Sequence, residues 1–169
     1  PLHLNDVRVV KSIEDKNNFF NSNIGDIFVS FGSLDTIALY DKENNLKNYF
    51  VGNMIAQHSP RLMSNKKIMI FDNEGSDRIF GQSRIISFDT ETKKISGIYE
   101  GDIQNFFDSS VAGRLQIYDN RIYVNSSVES KLFELKCEEI EILKNCTRKN
   151  ILSMPDLSGE TFLLEIIEN

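Results

Sequence analysis

Apolar and polar positions along the chain alternate in short runs, which is the pattern of β-strands rather than of helices. The runs are rich in β-branched and aromatic residues, and turn-forming residues separate most of them. The predicted strands are 6–10, 26–31, 37–41, 47–52, 59–63, 67–72, 84–89, 95–101, 114–119, 121–126, 131–137, 139–144 and 161–168. No stretch sustains a helical apolar repeat, although 157–167 fits a buried strand or a short helix. The pattern therefore predicts an all-β protein.

The predicted strands recur in units of four. Similar segments start at residues 37, 85 and 131, so the repeat has a period in the forties. A four-strand unit of this length is the signature of a β-propeller blade, and a two-sheet sandwich is the alternative. The sequence contains about three such units, whereas closed propellers have about four to eight blades. We therefore expect a partial propeller of about three blades.

We expect residues 1–169 to form a single partial propeller domain. Its blades are predicted at about 2–52, 53–101 and 102–145, and 146–169 would begin a further blade or form a closing strand. Other parts of a longer chain, or an oligomer, would complete the ring, and the sequence does not fix the oligomeric state.

Composition narrows the functional classes. The net charge of −6 argues against a nucleic-acid binder, which would show a basic face. No apolar run is long enough for a membrane span. Two histidines and two cysteines are too few for a three-histidine or a four-cysteine zinc site. Cys137 and Cys146 could form a disulfide in an oxidising compartment or remain as two buried thiols.

Polar residues gather in loops that a propeller would bring to one face. In an up-and-down blade, the loop before the first strand and the loop between the second and third strands emerge together. His3 precedes the first unit, and His58 precedes the second. In the second unit, the loop between the second and third strands supplies Asp72, Asn73 and Arg78. The third strand begins at Arg84. We therefore expect these side chains to lie near one mouth of the central channel.

Three elements in order carry a family resemblance. They are Gln57-His58, the Phe71-Asp72-Asn73 turn, and Ser83-Arg84 at the start of the next strand. Across residues 2–135 the chain resembles the arylsulfotransferase family, the PAPS-independent aryl-sulfate sulfotransferases of bacterial periplasms and their relatives. The resemblance implies a six-bladed propeller with its active site in the central funnel, and a periplasmic or extracellular location. It also implies sulfuryl transfer between phenols through a sulfo-histidine, with no metal or nucleotide cofactor.

The resemblance also suggests roles for the loop residues. His58 matches the family's Gln-His histidine, a sulfate-contacting position, and Arg84 would be the sulfate-binding arginine, because a guanidinium fork fits a sulfate. These two are the predicted catalytic residues. The predicted substrate-binding residues are His3, Asp72, Asn73 and Arg78. Arg78 is the alternative to Arg84 as the sulfate-binding arginine. The expected ligand is a small aryl sulfate or phenol.

One feature departs from the family pattern. The family's enzymes use a further histidine from a later blade as nucleophile, and this chain has no histidine after His58. The corresponding region, 106–113, offers serines instead. Two interpretations stay open: an aryl-sulfate sulfotransferase in which His58 has taken over, or a catalytically silent propeller that binds a ligand or protein partner.

Overall fold

The computed structural model describes residues 3–11, 21–63, 66–75, 82–102, 104–105 and 107–153. These residues form three four-stranded antiparallel sheets, in each of which consecutive strands are neighbours. The first sheet contains β1 (Leu4–Val9), β2 (Ile27–Phe31), β3 (Thr36–Tyr40) and β4 (Leu46–Val51). The second contains β5 (His58–Leu62), β6 (Lys67–Asp72), β7 (Arg84–Asp89) and β8 (Lys94–Tyr99). The third contains β9 (Arg114–Tyr118), β10 (Arg121–Ser126), β11 (Lys131–Lys136) and β12 (Thr147–Ser153).

Short turns connect the strands where the sequence has asparagine and aspartate. Asn44, Asp119 and Asn120 adopt positive φ angles of 67°, 48° and 56°, which these residue types tolerate better than most. The Asp41 carboxylate accepts hydrogen bonds from the backbone N–H groups of Glu43 and Asn45. Tight turns thus join β3 to β4 and β9 to β10.

The sheets pack face to face, and the second sheet is covered on both sides. On β6, Ile68 and Ile70 face the first sheet, whereas Met69 and Phe71 face the third. All four of these side chains are fully buried. A strand that is buried on both faces has apolar residues at successive positions rather than at every second one. The centre of the molecule therefore lies in the second sheet.

Aromatic rings fill the two interfaces. Between the first and second sheets, Phe50 and Phe88 stack with ring centroids 3.7 Å apart. Between the second and third sheets, Phe107 contacts Phe71 and Phe133 edge to face, at 5.8 and 5.2 Å. Full burial of one such side chain stabilises a fold by roughly 1.5–3 kcal/mol, so these rings contribute strongly to each interface.

The first strand of each sheet is the innermost one. β5 lies against β1 on one side and against β9 on the other. Three sheets that stack in sequence order and converge on their first strands are blades of a β-propeller. The structure thus confirms the predicted all-β class and the partial propeller of three four-stranded blades. Among the described residues, no helix is long and apolar enough to cross a membrane.

The fourth strand of the third sheet differs from the prediction. The sequence predicted a strand at 139–144, but Ile140–Ile142 forms one turn of 3-10 helix and β12 lies at Thr147–Ser153. This sheet therefore extends past residue 145, where we expected the third blade to end. The Ile142 backbone packs tightly on Gly97 of β8. The apolar residues of this segment are thus used in packing between sheets rather than in strand pairing.

A disulfide joins the two ends of the segment between β11 and β12. Cys137 and Cys146 are bonded to each other, which settles the choice that the sequence left open. Two further predictions, the strand at 161–168 and the ambiguous segment 157–167, lie outside the described residues.

Candidate functional site

His58 is the first residue of β5, at an irregular start of that strand. The pairing of β5 with β6 shifts between His58 and Arg61, and Ser59 has a positive φ of 53°. Pro60 lies within this irregularity, where a residue without an N–H group costs no ladder hydrogen bond. The Ser59 hydroxyl donates to the Leu115 carbonyl and accepts from its N–H, both at 3.1 Å. The strand start is thereby fixed to β9.

The preceding residue, Gln57, anchors the same strand start to the first sheet. Its side chain is fully buried. The amide nitrogen donates to Ser30 Oγ at 3.2 Å and to the Thr36 carbonyl at 3.1 Å. The hydrogen bonds of Gln57 to the first sheet therefore fix the backbone that leads into His58.

Two oxygen acceptors surround the Nδ1 atom of the His58 imidazole. Asn73 Oδ1 lies 2.7 Å away and the Ala56 carbonyl 2.9 Å away. The Asn73 amide nitrogen donates to the Ser109 carbonyl, which orients the amide with its oxygen toward the ring. We infer that Nδ1 carries the proton, so the lone pair lies on Nε2. Among the described residues, Nε2 has no hydrogen-bond partner.

Asn73 is itself held by a network that joins two loops. It is fully buried. Ser83 Oγ donates to the Asn73 carbonyl at 2.8 Å and accepts from the Ser109 N–H at 2.8 Å. The orientation of the imidazole therefore depends on residues from both the second and the third sheet.

Asp72 and Arg84 form a buried ion pair beside this network. Arg84 Nε lies 2.8 Å from Asp72 Oδ2, and the side chains are 8% and 0% exposed. Arg84 Nη2 donates to the Asn53 carbonyl, and Asp72 Oδ1 accepts from the Ile55 N–H. Burial raises the pKa of the Asp72 carboxyl, while the Ile55 hydrogen bond and the Arg84 charge oppose that rise. The pair fastens residues 53–55, which lead into His58.

The structure brings four of the predicted residues together: His58 contacts Asn73, whose neighbour Asp72 pairs with Arg84. His3 is exposed just before β1, where its N–H donates to Ser33 Oγ at 3.2 Å. Arg78 lies outside the described residues. The roles assigned to these residues from the sequence stay predictions.

Arg114 is a candidate that the sequence reasoning missed. It is exposed at the start of β9 and lines a cavity of about 130 Å³ together with His58. Asn5, Asp6, Ser59 and Ser127 are also in the wall of this cavity. Among the described residues, no carboxylate forms an ion pair with Arg114. The signal was present in the sequence, because each first strand carries an arginine: Arg8, Arg61 and Arg114.

The cavity offers groups that suit an anion rather than a metal ion. Its wall combines a guanidinium, an imidazole and a side-chain amide with one carboxylate. Among the described residues, no group of histidine, cysteine and acidic side chains could hold a metal ion. A guanidinium presents its N–H groups in a plane that matches two oxygens of a sulfate.

Comparison with known proteins identifies the family. No curated protein matches the chain. A family model described as arylsulfotransferase (ASST) matches residues 1–145. The matched range contains the first two sheets and the first three strands of the third, and it includes every residue of the His58 network. Because the match extends over most of its length, the chain belongs to the arylsulfotransferase family.

Proposed function

We propose that this chain transfers a sulfuryl group between phenolic compounds and that His58 carries the group, with this chain acting as part of a longer protein. The observation that supports this most directly is the pair of oxygen acceptors beside Nδ1 of His58, from which we infer its tautomer. Because Nδ1 donates to Asn73 Oδ1 and the Ala56 carbonyl, Nε2 keeps its lone pair. A neutral imidazole with an available nitrogen is a competent nucleophile.

In the proposed first step, the Nε2 lone pair attacks the sulfur of an aryl sulfate. The N–S bond forms, the bond between sulfur and the aryl oxygen breaks, and a phenolate leaves with the electron pair. In the second step, an acceptor phenol oxygen attacks the same sulfur and its proton passes to a base in solution. The new O–S bond forms, the N–S bond breaks, and its electron pair returns to Nε2, which restores the imidazole. The reaction needs no metal or nucleotide, because a phenolate is already a good leaving group.

The surrounding residues take two kinds of role. Arg114, in the wall of the His58 cavity, would contact the sulfate oxygens and offset their charge. Arg84 and Asp72 form an ion pair with each other and hydrogen bonds with the backbone of 53–55. We therefore propose that they position His58, and that a sulfate contact by Arg84 would require the ion pair to open. His3 and Arg78 remain proposed substrate contacts.

The test is a transfer assay with chemical identification of the intermediate. The full chain is incubated with 4-nitrophenyl sulfate as donor and phenol as acceptor, and nitrophenolate release is followed. A parallel sample without phenol is quenched and its peptides are analysed for a sulfuryl group. We expect the label on His58 in the unmodified chain, none in His58→Ala, and continued labelling of His58 in the matched variant His3→Ala.

A silent binding propeller is the second candidate, favoured by the serines at 106–113, where the resemblance leads one to expect the family's further histidine. In that case the chain would bind 4-nitrophenyl sulfate without releasing nitrophenolate. The only effect of His58→Ala would then be weaker binding of this compound. Nitrophenolate release that is unchanged in His58→Ala would reject both assignments of His58.

A periplasmic or extracellular location is part of the proposal. The bond between Cys137 and Cys146 supports it, because disulfides persist mainly in oxidising compartments. Fractionation of the cells that produce the protein, followed by thiol labelling under denaturing conditions, tests this: the two cysteines should resist labelling until they are reduced.

A further inference from the structure

A second basic site adjoins the His58 cavity, on the inner strands of the first and second sheets. Arg8 of β1 and Arg61 of β5 share one carboxylate oxygen, Asp6 Oδ2, at 3.4 and 3.3 Å. Both arginines line a cavity of about 260 Å³, and Arg114 lies in the wall of this cavity and of the His58 cavity. Three guanidiniums therefore line the 260 Å³ cavity. The Asp6 carboxylate forms ion pairs with two of them, Arg8 and Arg61.

The charge of Arg61 is poorly compensated. Its side chain is only 13% exposed. Burial, together with the positive charges of Arg8 and Arg114, lowers the pKa of Arg61 to about 9, against the opposing effect of Asp6. Arg61 stays protonated at neutral pH, so a buried positive charge faces two others. An anion in the cavity would relieve this repulsion.

The remaining wall combines apolar and aromatic side chains with the amides of Gln116 and Asn125. Leu62, Ile117 and Tyr123 line the same cavity. A free inorganic ion would leave these side chains without a partner, whereas an aromatic ring that carries an anionic substituent would contact both kinds of wall. Across the irregular start of β5, His58 pairs with Phe71 and Arg61 with Met69, two positions apart on β6, which is about 7 Å along a strand. The two sites thus lie within reach of opposite ends of one aromatic ligand.

We propose that Arg8 and Arg61 bind a second anionic group, a carboxylate or a sulfonate, at the far end of an aryl sulfate. The preferred substrates would then be aryl sulfates with two negative charges. This inference rests on the proposed function for the identity of the reacting sulfate, but the second anion site can be tested without any transfer.

The binding test uses probes that cannot react. Benzenesulfonate, 4-sulfobenzoate and inorganic sulfate are titrated into the full chain by calorimetry at one fixed salt concentration. We expect the dianion 4-sulfobenzoate to bind about tenfold more tightly than benzenesulfonate, as a charge-assisted contact implies. Arg8→Gln should reduce that ratio to about twofold. Arg8 is 42% exposed and Arg61 only 13%, so a substitution at Arg8 should disturb folding less than one at Arg61.

The matched control is Arg121→Gln. It removes the same charge from an arginine of β10 that pairs with Glu134, outside both cavities. It should preserve the tenfold ratio. Equal affinity for the two sulfonates in the unmodified chain, or an equal loss in Arg8→Gln and Arg121→Gln, would overturn the second anion site. Inorganic sulfate binding as tightly as 4-sulfobenzoate would overturn its assignment to an aromatic ligand.

A turnover measurement separates this inference from the proposed function. The control variant Arg121→Gln, outside both cavities, should release nitrophenolate from 4-nitrophenyl sulfate at the unmodified rate. If the unmodified chain releases none but keeps the tenfold binding ratio, sulfuryl transfer is wrong and the second anion site stands. If it releases nitrophenolate but binds both sulfonates equally, the second anion site alone is wrong.

Discussion

Replacing Arg84 by methionine should destabilise the fold strongly at neutral pH. The substitution keeps an apolar stem and removes the charge that pairs with Asp72, whose side chain is 0% exposed. Loss of one partner of a buried pair typically costs about 3–5 kcal/mol, since the other charge is left uncompensated. Asp72 keeps its hydrogen bond from the Ile55 N–H, so we expect about 3 kcal/mol, or a fall in Tm of roughly 6–12 °C for a chain of this size.

The cost should depend on pH with a definite sign. Without Arg84, the folded-state pKa of Asp72 rises further above its model-compound value of 3.8. Between 3.8 and that raised pKa, the folded state binds more protons than the unfolded state, so stability increases as the pH falls. The deficit of Arg84→Met relative to the unmodified chain should therefore shrink as the pH is lowered from 7 toward 3.8.

The measurement is urea unfolding at several pH values, with two comparison variants. Asp72→Asn/Arg84→Met removes both partners and should recover much of the loss at pH 7. Lys66→Met breaks an exposed pair with Glu91, in which the side chains are 51% and 67% exposed, and should change stability by under about 1 kcal/mol. A loss in Arg84→Met no larger than in Lys66→Met, or a deficit that grows as the pH falls, would refute the reasoning.

Three further predictions concern local structure. Reducing the Cys137–Cys146 bond, which joins residues 9 apart, should lower the free energy of unfolding by about 2.5 kcal/mol, seen as a lower Tm with reductant that a Cys137→Ser/Cys146→Ser variant does not show. Gly97→Ala should cost about 1–3 kcal/mol because its methyl group would collide with the Ile142 backbone, and an unchanged urea midpoint would contradict this. Hydrogen bonds from the Thr92 and Glu91 N–H groups lower the pKa of Asp89, so its contribution is present above pH 3.8 and is lost at lower pH; the stability difference between Asp89→Asn and the unmodified chain should vanish in acid, and a constant difference would argue against it.

The strand pattern was predictable because alternation and turn residues are local signals. β6 illustrates this, since the turns on either side delimit it although its residues are buried on both faces. The segment 139–144 shows the limit. Its apolar residues alternate like those of a strand, but Ile140 and Leu143 join the core cluster of the second and third sheets, and the segment pairs through an isolated bridge between Glu139 and Lys144. Packing between distant segments leaves no periodic mark in the sequence, so β12 was predicted too early.

The candidate site was predictable in its position and less so in its contacts. Repeat geometry predicted that His58, Asp72, Asn73 and Arg84 would share one face; in the structure His58 contacts Asn73 and Arg84 pairs with Asp72. The sequence could not show that Arg84 uses its charge on Asp72, because that depends on burial. Nor did it single out Arg61 and Arg114, since an arginine in a strand is normally interpreted as a solvent-facing residue until the strand is known to be innermost.

The hydrogen bonds around His58 have a consequence for how the site behaves in time. Asn5 of the first sheet donates to the Gln57 carbonyl, and Ser109, before the third sheet, orients Asn73. The position of His58 and the orientation of Asn73 therefore depend on both neighbouring sheets staying docked on the second. In a repeat architecture, such contacts open as cooperative units. We therefore expect the backbone amides of 55–59 to exchange their hydrogens when a whole sheet undocks, rather than through local opening of one loop.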